Sequence, residues 1–329
     1  MITANAFRGK RYAVYGLART GKAVIDALVA SGADVVAWDD KPAAREGCAV
    51  PLVDLHDANL VSLDALVVSP GVPLRSHPLT QRAAAAGVKI IGDIELFAQA
   101  RTELPSHRVV GITGTNGKST TTALIHHLLQ SAGISARLGG NIGLPIMAQE
   151  PLPAGGVYVL ELSSYQLDLT FSLDCDVAVL LNITPDHLDR HGDMAGYAAA
   201  KARLFAMQSD DHTAVIAAED DYTRAVAASV SAKLVTVAAD DIGTEQADWP
   251  SLQGPHNAQN AAAAIAAVHA LVLTDTQIAA GLASYPGLEH RMERVREING
   301  VLFVNDSKAT NPTSTAPALA AYPRIHWIA

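Results

Sequence analysis

The run Val109-Val110-Gly111-Ile112-Thr113-Gly114-Thr115-Asn116-Gly117-Lys118-Ser119-Thr120-Thr121-Thr122 decides how the chain is read. A β-branched stretch ends in small, glycine-spaced residues, and Lys-Ser-Thr then opens an apolar-periodic segment through Leu124, Ile125, Leu128 and Leu129. The order is strand, tight loop, helix. Such a loop turns backbone N–H groups toward an anion at the positive end of a helix, while its lysine and hydroxyl serve terminal phosphates and Mg²⁺. The spacing is a variant, with five residues between Gly111 and Gly117 and two between Gly114 and Gly117. A glycine-rich turn with a solvated lysine is the plainer alternative, but Gly-Lys-Ser-Thr at a strand-to-helix junction favours phosphate binding.

Upstream, residues 11–15 read as a strand, 16–21 as a turn into a helix with Val24, Ile25, Leu28 and Val29 on its apolar side, and 34–38 as the next strand. This βαβ unit resembles a dinucleotide-binding opening, with an acid at the tip of its second strand. Its second glycine is Ala18, which crowds a pyrophosphate, so an NAD(P)-dependent oxidoreductase is a runner-up that leaves the central loop unexplained. Residues 65–68 and 88–91 add strands, 69–73 a proline-glycine turn, and Asp93 an N-cap. Residues 101–107 interrupt the pattern and mark a boundary. Beyond the loop, strands at 157–160, 177–181, 214–216 and 234–237 alternate with helical patterns, ending in helices near 257–272 and 274–282. A third unit opens with a strand at 300–304, a loop at 305–312, a helix at 313–321 and a strand at 324–329. The expected fold class is α/β with largely parallel sheets.

The 329 residues are 49% hydrophobic without a long apolar run, so a globular chain with no membrane span and no signal peptide is expected, in the cytoplasm. A net charge of −9 disfavours nucleic acid and anionic membrane. Cys48 and Cys175 have no metal-ligand spacing and read as apolar fillers.

Glu161 closes an apolar strand, where a carboxylate is well placed to hold Mg²⁺ beside phosphates; a solvated strand-end acid is the alternative. Residues 182–191 follow another strand and group His187 and His191 with Asp186 and Asp189. Alone they could be a capped turn, but two such strand ends together favour a metal-bearing crevice. Lys201 lies in a predicted helix, and nothing in its spacing marks it as functional. Asn257 and Asn260 suit helix capping. Asp306, Lys308 and Thr310 follow the first strand of the third unit, where a ligand loop and ordinary solvation are equally economical.

Taken in order over nearly the whole chain, these stretches closely resemble the Mur ligases, the ATP-dependent amide-bond ligases of peptidoglycan precursor synthesis. The resemblance is carried by 114–120, 140–143, 161–166, 182–190, His256-Asn257 with Asn260, 290–293 and 305–310. The turn at 16–21, Ser69-Pro70-Gly71-Val72-Pro73, 92–97 and Asn305-Asp306-Ser307-Lys308-Ala309-Thr310-Asn311 are most similar to the branch that joins D-glutamate to UDP-N-acetylmuramoyl-L-alanine.

The resemblance implies a Rossmann-like UDP-substrate-binding domain over 1–104, a P-loop ATPase-like domain over 105–298, and the beginning of a third, Rossmann-like domain over 299–329. It implies ATP and two Mg²⁺ ions, and a monomer. Gly114, Thr115, Asn116, Gly117, Lys118, Ser119 and Thr120 would bind ATP with Asn260, Arg291 and Asp306. Lys118, Glu161, His187 and Lys201 would be catalytic, with Ser119, Glu161, His187 and a carbamylated Lys201 at the metals. Arg19, Thr20, Asp39, Lys41, Ser69, Gly71 and Asn141 would bind the UDP-substrate, Lys41 standing where arginine is common. Lys308 and Thr310 would lie on the hinge side. Because the third domain is only begun, weak or no ligation is expected; the alternative is a fragment that recognises UDP-substrate and nucleotide without catalysis.

Overall fold

The computed structural model describes residues 1–309 and 312–328. Two parallel sheets carry most of it. In the first, β1 (Arg11–Tyr15), α1 (Arg19–Ala30), β2 (Asp34–Trp38), α2 (Pro42–Arg45), β3 (Ala65–Val68), α3 (Pro78–Ala86) and β4 (Ile90–Ile91) give the strand order β2-β1-β3-β4. α4 (Asp93–Ala100) leads to the second sheet, in which β5 (His107–Thr113), α5 (Lys118–Ser131), β6 (Ala136–Gly140), β7 (Gly156–Glu161), α6 (Ser164–Asp168) and β8 (Val177–Leu180) come first. α7 (Leu188–His191), α8 (Met194–Ala206), β9 (Thr213–Ala217), α9 (Asp221–Ala227) and β10 (Lys233–Val237) complete the order β10-β9-β8-β5-β7-β6. α10 (Pro255–Ala270) and α11 (Asp275–Ser284) pack on its α5 face.

Strand order follows burial. β5, β7 and β8 are runs of Val, Ile and Leu covered on both faces and take the centre, whereas β6 and the largely exposed β10 take the edges. In each sheet the first strand has neighbours on both sides that come later in the chain, so the order reverses beside β1 and beside β5. The crevices at the C-terminal ends of those strands are where α/β sheets bind ligands.

The sheets are fastened together. Phe97 of α4 packs edge-on against Tyr158 of β7 with ring centroids 5.0 Å apart, and one core runs through both. Gly92 N–H donates to Leu169 O at 3.0 Å. The buried Glu95 accepts from Phe171 N–H at 2.7 Å, Ser172 N–H at 3.0 Å and the Ser172 hydroxyl at 2.9 Å.

β11 (Glu293–Ile298) and β12 (Val301–Asn305) form an antiparallel ribbon, followed by α12 (Pro312–Ala320). The ribbon pairs across position 298, where the sequence places its second domain limit. Residues 324–328, expected as a strand, have no ladder partner among the described residues and are irregular. Apolar side chains alone do not make a strand without a neighbouring edge to pair with. Cys175 is a buried filler as expected, while Cys48 is only partly covered.

Candidate active site

The phosphate-loop candidate runs from the end of β5 into α5. Gly117 N-caps the helix at φ 85°, a left-handed conformation that glycine adopts without strain, and a Cβ there would overlap Asn260 Oδ1. The loop is braced from β8's exit: Thr115 N–H donates to Asn182 O at 2.8 Å and Asn116 N–H to Asn182 Oδ1 at 2.9 Å. The Lys118 ammonium is folded back on its own loop, donating to Gly114 O at 2.9 Å and Thr115 O at 2.8 Å. Burial pulls its pKa down, against the pull of Glu161.

Lys201 is not solvated. It is 1% exposed in α8, donates to the same Gly114 O at 2.7 Å and lies 4.5 Å over the Tyr197 ring. Burial, then the charge of Lys118, lowers its pKa well below that of a free lysine, so the neutral amine is accessible there. Tyr197, which the sequence reading passed over, shares a 3.2 Å hydrogen bond with Thr115 Oγ1, and burial pushes its phenol up to about 12.

Glu161 ends β7 in register with Ile112, two residues before Gly114. It is 2% exposed; Oε1 accepts from Asn141 Nδ2 at 2.8 Å, and Oε2 is buried with no hydrogen-bond partner among the described residues. A buried carboxylate oxygen left free beside a phosphate loop fits a divalent cation, which takes hard oxygen ligands. Ser119, buried at the start of α5, is a second oxygen of that kind. His187 precedes α7 with a left-handed backbone, φ 52°; its ring lies 5.0 Å from that of Tyr165, and Nε2 is 3.4 Å from Asp186 Oδ2.

A cleft beside the loop gathers Asn116, Gly117, Thr120, Asn260, Arg291 and Asp306. Asn260 Nδ2 donates to Asn257 Oδ1 at 3.1 Å. Asp306 Oδ1 accepts from Met292 N–H at 3.0 Å, and burial raises its carboxyl pKa. His290 and Met292, at φ 63° and 47°, flank Arg291, so this segment holds two non-glycine residues in left-handed backbone. Lys308 N–H donates to His290 O at 3.1 Å, which puts Lys308 against that segment. Thr310 lies outside the described residues. His256, also on the cleft, has its pKa lowered to about 4 by burial, and its Nδ1 has no partner among the described residues.

The UDP-substrate candidates cluster at the crevice of the first sheet. Asp39 Oδ2 accepts from Leu17 N–H at 2.7 Å and Oδ1 from Lys41 N–H at 2.9 Å; the Ser69 hydroxyl donates to Gly16 O at 2.8 Å. Arg19 and Thr20 open α1, and Gly71 stands in open space. Ala18 has φ −70°, ordinary for alanine, whereas a Cβ at Gly21 would strike Gly16 O. The methyl therefore does not distort the turn. Arg19 Nη2 donates to Gly143 O at 2.8 Å and brings this crevice to the loop after β6, where Asn141 N–H donates to Glu161 O at 2.8 Å. Asn141 is thus shared between the two crevices.

Asp40, His56 and His77, unnoticed in sequence, meet at the same rim. His56 Nε2 is 2.9 Å from Asp40 Oδ1 and Tyr15 Oη 3.0 Å from His77 Nε2. Leu79 N–H donates to His77 Nδ1, which leaves the ring proton on Nε2 facing Tyr15, so that ring offers a cation no lone pair.

The sequence family described as Mur ligase middle domain matches residues 112–251, and that described as Mur ligase MurD-like, N-terminal domain matches residues 10–92. The UDP-N-acetylmuramoylalanine--D-glutamate ligase of Novosphingobium aromaticivorans is 60% identical over 335 residues, spanning 100% of this chain and 75% of that protein. Its namesake in Zymomonas mobilis is 56% identical over 344 residues, spanning 100% of this chain and 78% of that protein. Among solved structures, MurF from Acinetobacter baumannii superposes with a TM-score of 0.59 at 21% identity, covering 97% of this chain and 70% of that one. The UDP-N-acetylmuramate:L-alanyl-gamma-D-glutamyl-meso-diaminopimelate ligase from Neisseria meningitides gives 0.58 at 18% identity, covering 85% and 99%. At such identities the structures speak to the fold, and no helix among the described residues is long and apolar enough to cross a membrane. The sequence matches go further: the chain belongs to the Mur ligase family.

Proposed function

We propose that this chain is an ATP-dependent amide ligase of peptidoglycan precursor synthesis that joins D-glutamate to UDP-N-acetylmuramoyl-L-alanine. The observation that carries the reading is Glu161 Oε2, a buried oxygen without a partner beside a glycine loop that ends in Lys118 and Ser119. The names of the most similar relatives support the substrate pair.

In this reading the substrate's terminal carboxylate takes the γ-phosphoryl group of ATP, giving an acyl phosphate and ADP. The amine of D-glutamate then attacks the carbonyl carbon, and the tetrahedral adduct loses phosphate and a proton to give the amide. Lys118 and the N–H groups of 114–120 would hold the phosphates; Asn260, Arg291 and Asp306 would line the nucleotide's other side. Mg²⁺, two ions in this family reading, would neutralise charge on the phosphates, with Ser119, Glu161 and His187 to hold it. Lys201, as a neutral amine, would add CO₂ and release a proton to become a carbamate, a metal-binding anion that would also attract the Lys118 ammonium. Arg19, Thr20, Asp39, Lys41, Ser69 and Gly71 would hold the UDP end, with Asn141 near the reacting carboxylate. We take 1–104, 105–298 and 299–329 as the domain division, with the β11–β12 hairpin as the joint between the last two. A monomer in the cytoplasm is consistent with this chemistry.

The test pairs calorimetry with an assay of ADP release. UDP-N-acetylmuramoyl-L-alanine is expected to bind, more weakly in Arg19→Ala. Any ADP release should require that substrate and respond to D-glutamate but not L-glutamate, and weak or no release matches the ligation expected of this chain. A chain that binds neither the UDP-substrate nor Mg²⁺-ATP would refute the reading.

A further inference from the structure

α7 has four residues, too few to hold a helical turn by its own hydrogen bonds. It begins after the left-handed His187, φ 52°, and ends at Gly192, φ 91°. What fixes it must be tertiary. Three of its neighbouring side chains grip one ring: the Arg190 guanidinium lies 4.3 Å over Tyr165, the His191 ring stacks on it at 5.7 Å and 27°, and the His187 ring tilts against it at 5.0 Å.

Of these, His191 is the anchor. Its side chain is 5% exposed, against 46% for that of His187. Its Nε2 shares a 2.9 Å hydrogen bond with Ser164 Oγ, and its Nδ1 is 3.7 Å from Asp168 Oδ2. Ser164 and Asp168 are the first and last residues of α6, so one imidazole spans that helix end to end. The chain enters α6 from β7 through a reciprocal capping box, Ser163 with Gln166, two residues after Glu161. The backbone from Glu161 into α6, the His191 contacts on α6 and the Tyr165 ring that His191 and His187 share therefore connect Glu161 to His187.

We propose that His191 is a positioning residue, which by tying α7 to α6 sets where the His187 imidazole stands relative to Glu161 and so tunes the site's affinity for a divalent cation. The inference rests on the ligase reading, in which Glu161 and His187 hold cations. Groups that orient a metal ligand without touching the metal change its affinity by about 10–100-fold when removed. A half-exposed imidazole beside a four-residue turn is the kind of ligand that needs such support.

The test reads metal binding directly. Mn²⁺ is titrated into the full chain with a non-hydrolysable ATP analogue present, and free Mn²⁺ is followed by electron paramagnetic resonance. His191→Ala is expected to weaken the weaker Mn²⁺ binding step by about tenfold, with nucleotide affinity measured without metal unchanged. His191→Gln keeps a group that can meet Ser164 but loses the ring stack, and should fall between wild type and His191→Ala. Should His191→Ala fail to fold, Ser164→Ala removes only the hydroxyl partner and should weaken Mn²⁺ in the same direction by a smaller factor. His187→Ala is the reference arm: if it leaves Mn²⁺ binding unchanged, the assignment of His187 to a cation falls. If His187→Ala weakens Mn²⁺ while His191→Ala and Ser164→Ala bind it like wild type, the positioning role is overturned and the ligase reading stands.

Discussion

Asp93 opens α4, the helix that fastens the two sheets, and is 3% exposed with one carboxylate oxygen lacking a partner among the described residues. Burial raises its pKa from 3.8 to about 6, with hydrogen bonds from backbone N–H groups pulling the other way. The native state thus holds this proton more tightly than the unfolded chain does. The group favours folding least when ionised: its penalty is small near pH 4, grows as pH rises, and is complete above about 6. Two pH units at about 1.4 kcal/mol each make the full penalty roughly 3 kcal/mol, of which roughly 2 develops between pH 4.5 and 7.5. Asp93→Asn cannot ionise. Whatever constant offset the amide brings, the stability difference between variant and wild type should therefore move by roughly 2 kcal/mol in the variant's favour across that interval. Urea denaturation at closely spaced pH values reads it directly. Parallel curves for the two proteins would show that the carboxylate is solvated or paired in a way the structure does not contain.

Three further outcomes are expected. Gly117→Ala forces alanine to φ 85° and into Asn260 Oδ1, so binding of an ATP analogue should fall at least tenfold by calorimetry, with backbone strain of about 1–3 kcal/mol. Glu95→Ala leaves Phe171 and Ser172 N–H groups without their acceptor; a loss of roughly 3 kcal/mol in chemical denaturation is expected, and a change within error would show the two sheets to be held otherwise. Lys201 should show a carbamate signal by ¹³C NMR in labelled bicarbonate; Lys201→Ala should lack it, and the same signal in both proteins would place the adduct elsewhere.

The central sheet was legible because its strands are runs of Val, Ile and Leu that end in marked residues, as β7 does in Glu161 and β8 before Asn182. β6, Ala-Arg-Leu-Gly-Gly, escaped notice because an edge strand with small residues carries neither periodicity nor β-branched bulk. β11 is mostly charged and exposed, and only its partner β12 makes it a strand. Lys201 was illegible for another reason. Tyr197, Leu204 and Phe205 stand at helical spacing around it and mark the inward face of α8, but a lysine on such a face ordinarily reaches back to water, and what keeps this one buried is Gly114 O, 87 residues away in sequence. Tyr165 and His191 matter through each other, which no spacing along the chain records. The motifs told which residues to watch, and the packing told which of them are out of water.

The folded-back lysine of the glycine loop bears on selectivity. Two of the three Lys118 N–H donors are already taken by Gly114 O and Thr115 O, so an arriving ligand competes with two carbonyl dipoles and not with water alone. That exchange is close to even for any single oxygen and becomes favourable only for a full anionic charge that also satisfies the loop's N–H groups. A lone carboxylate or a neutral sugar hydroxyl gains little by it, whereas a polyphosphate meets both demands together. If the loop binds phosphates as proposed, it would discriminate by a threshold rather than by a gradient, before any metal ion is considered.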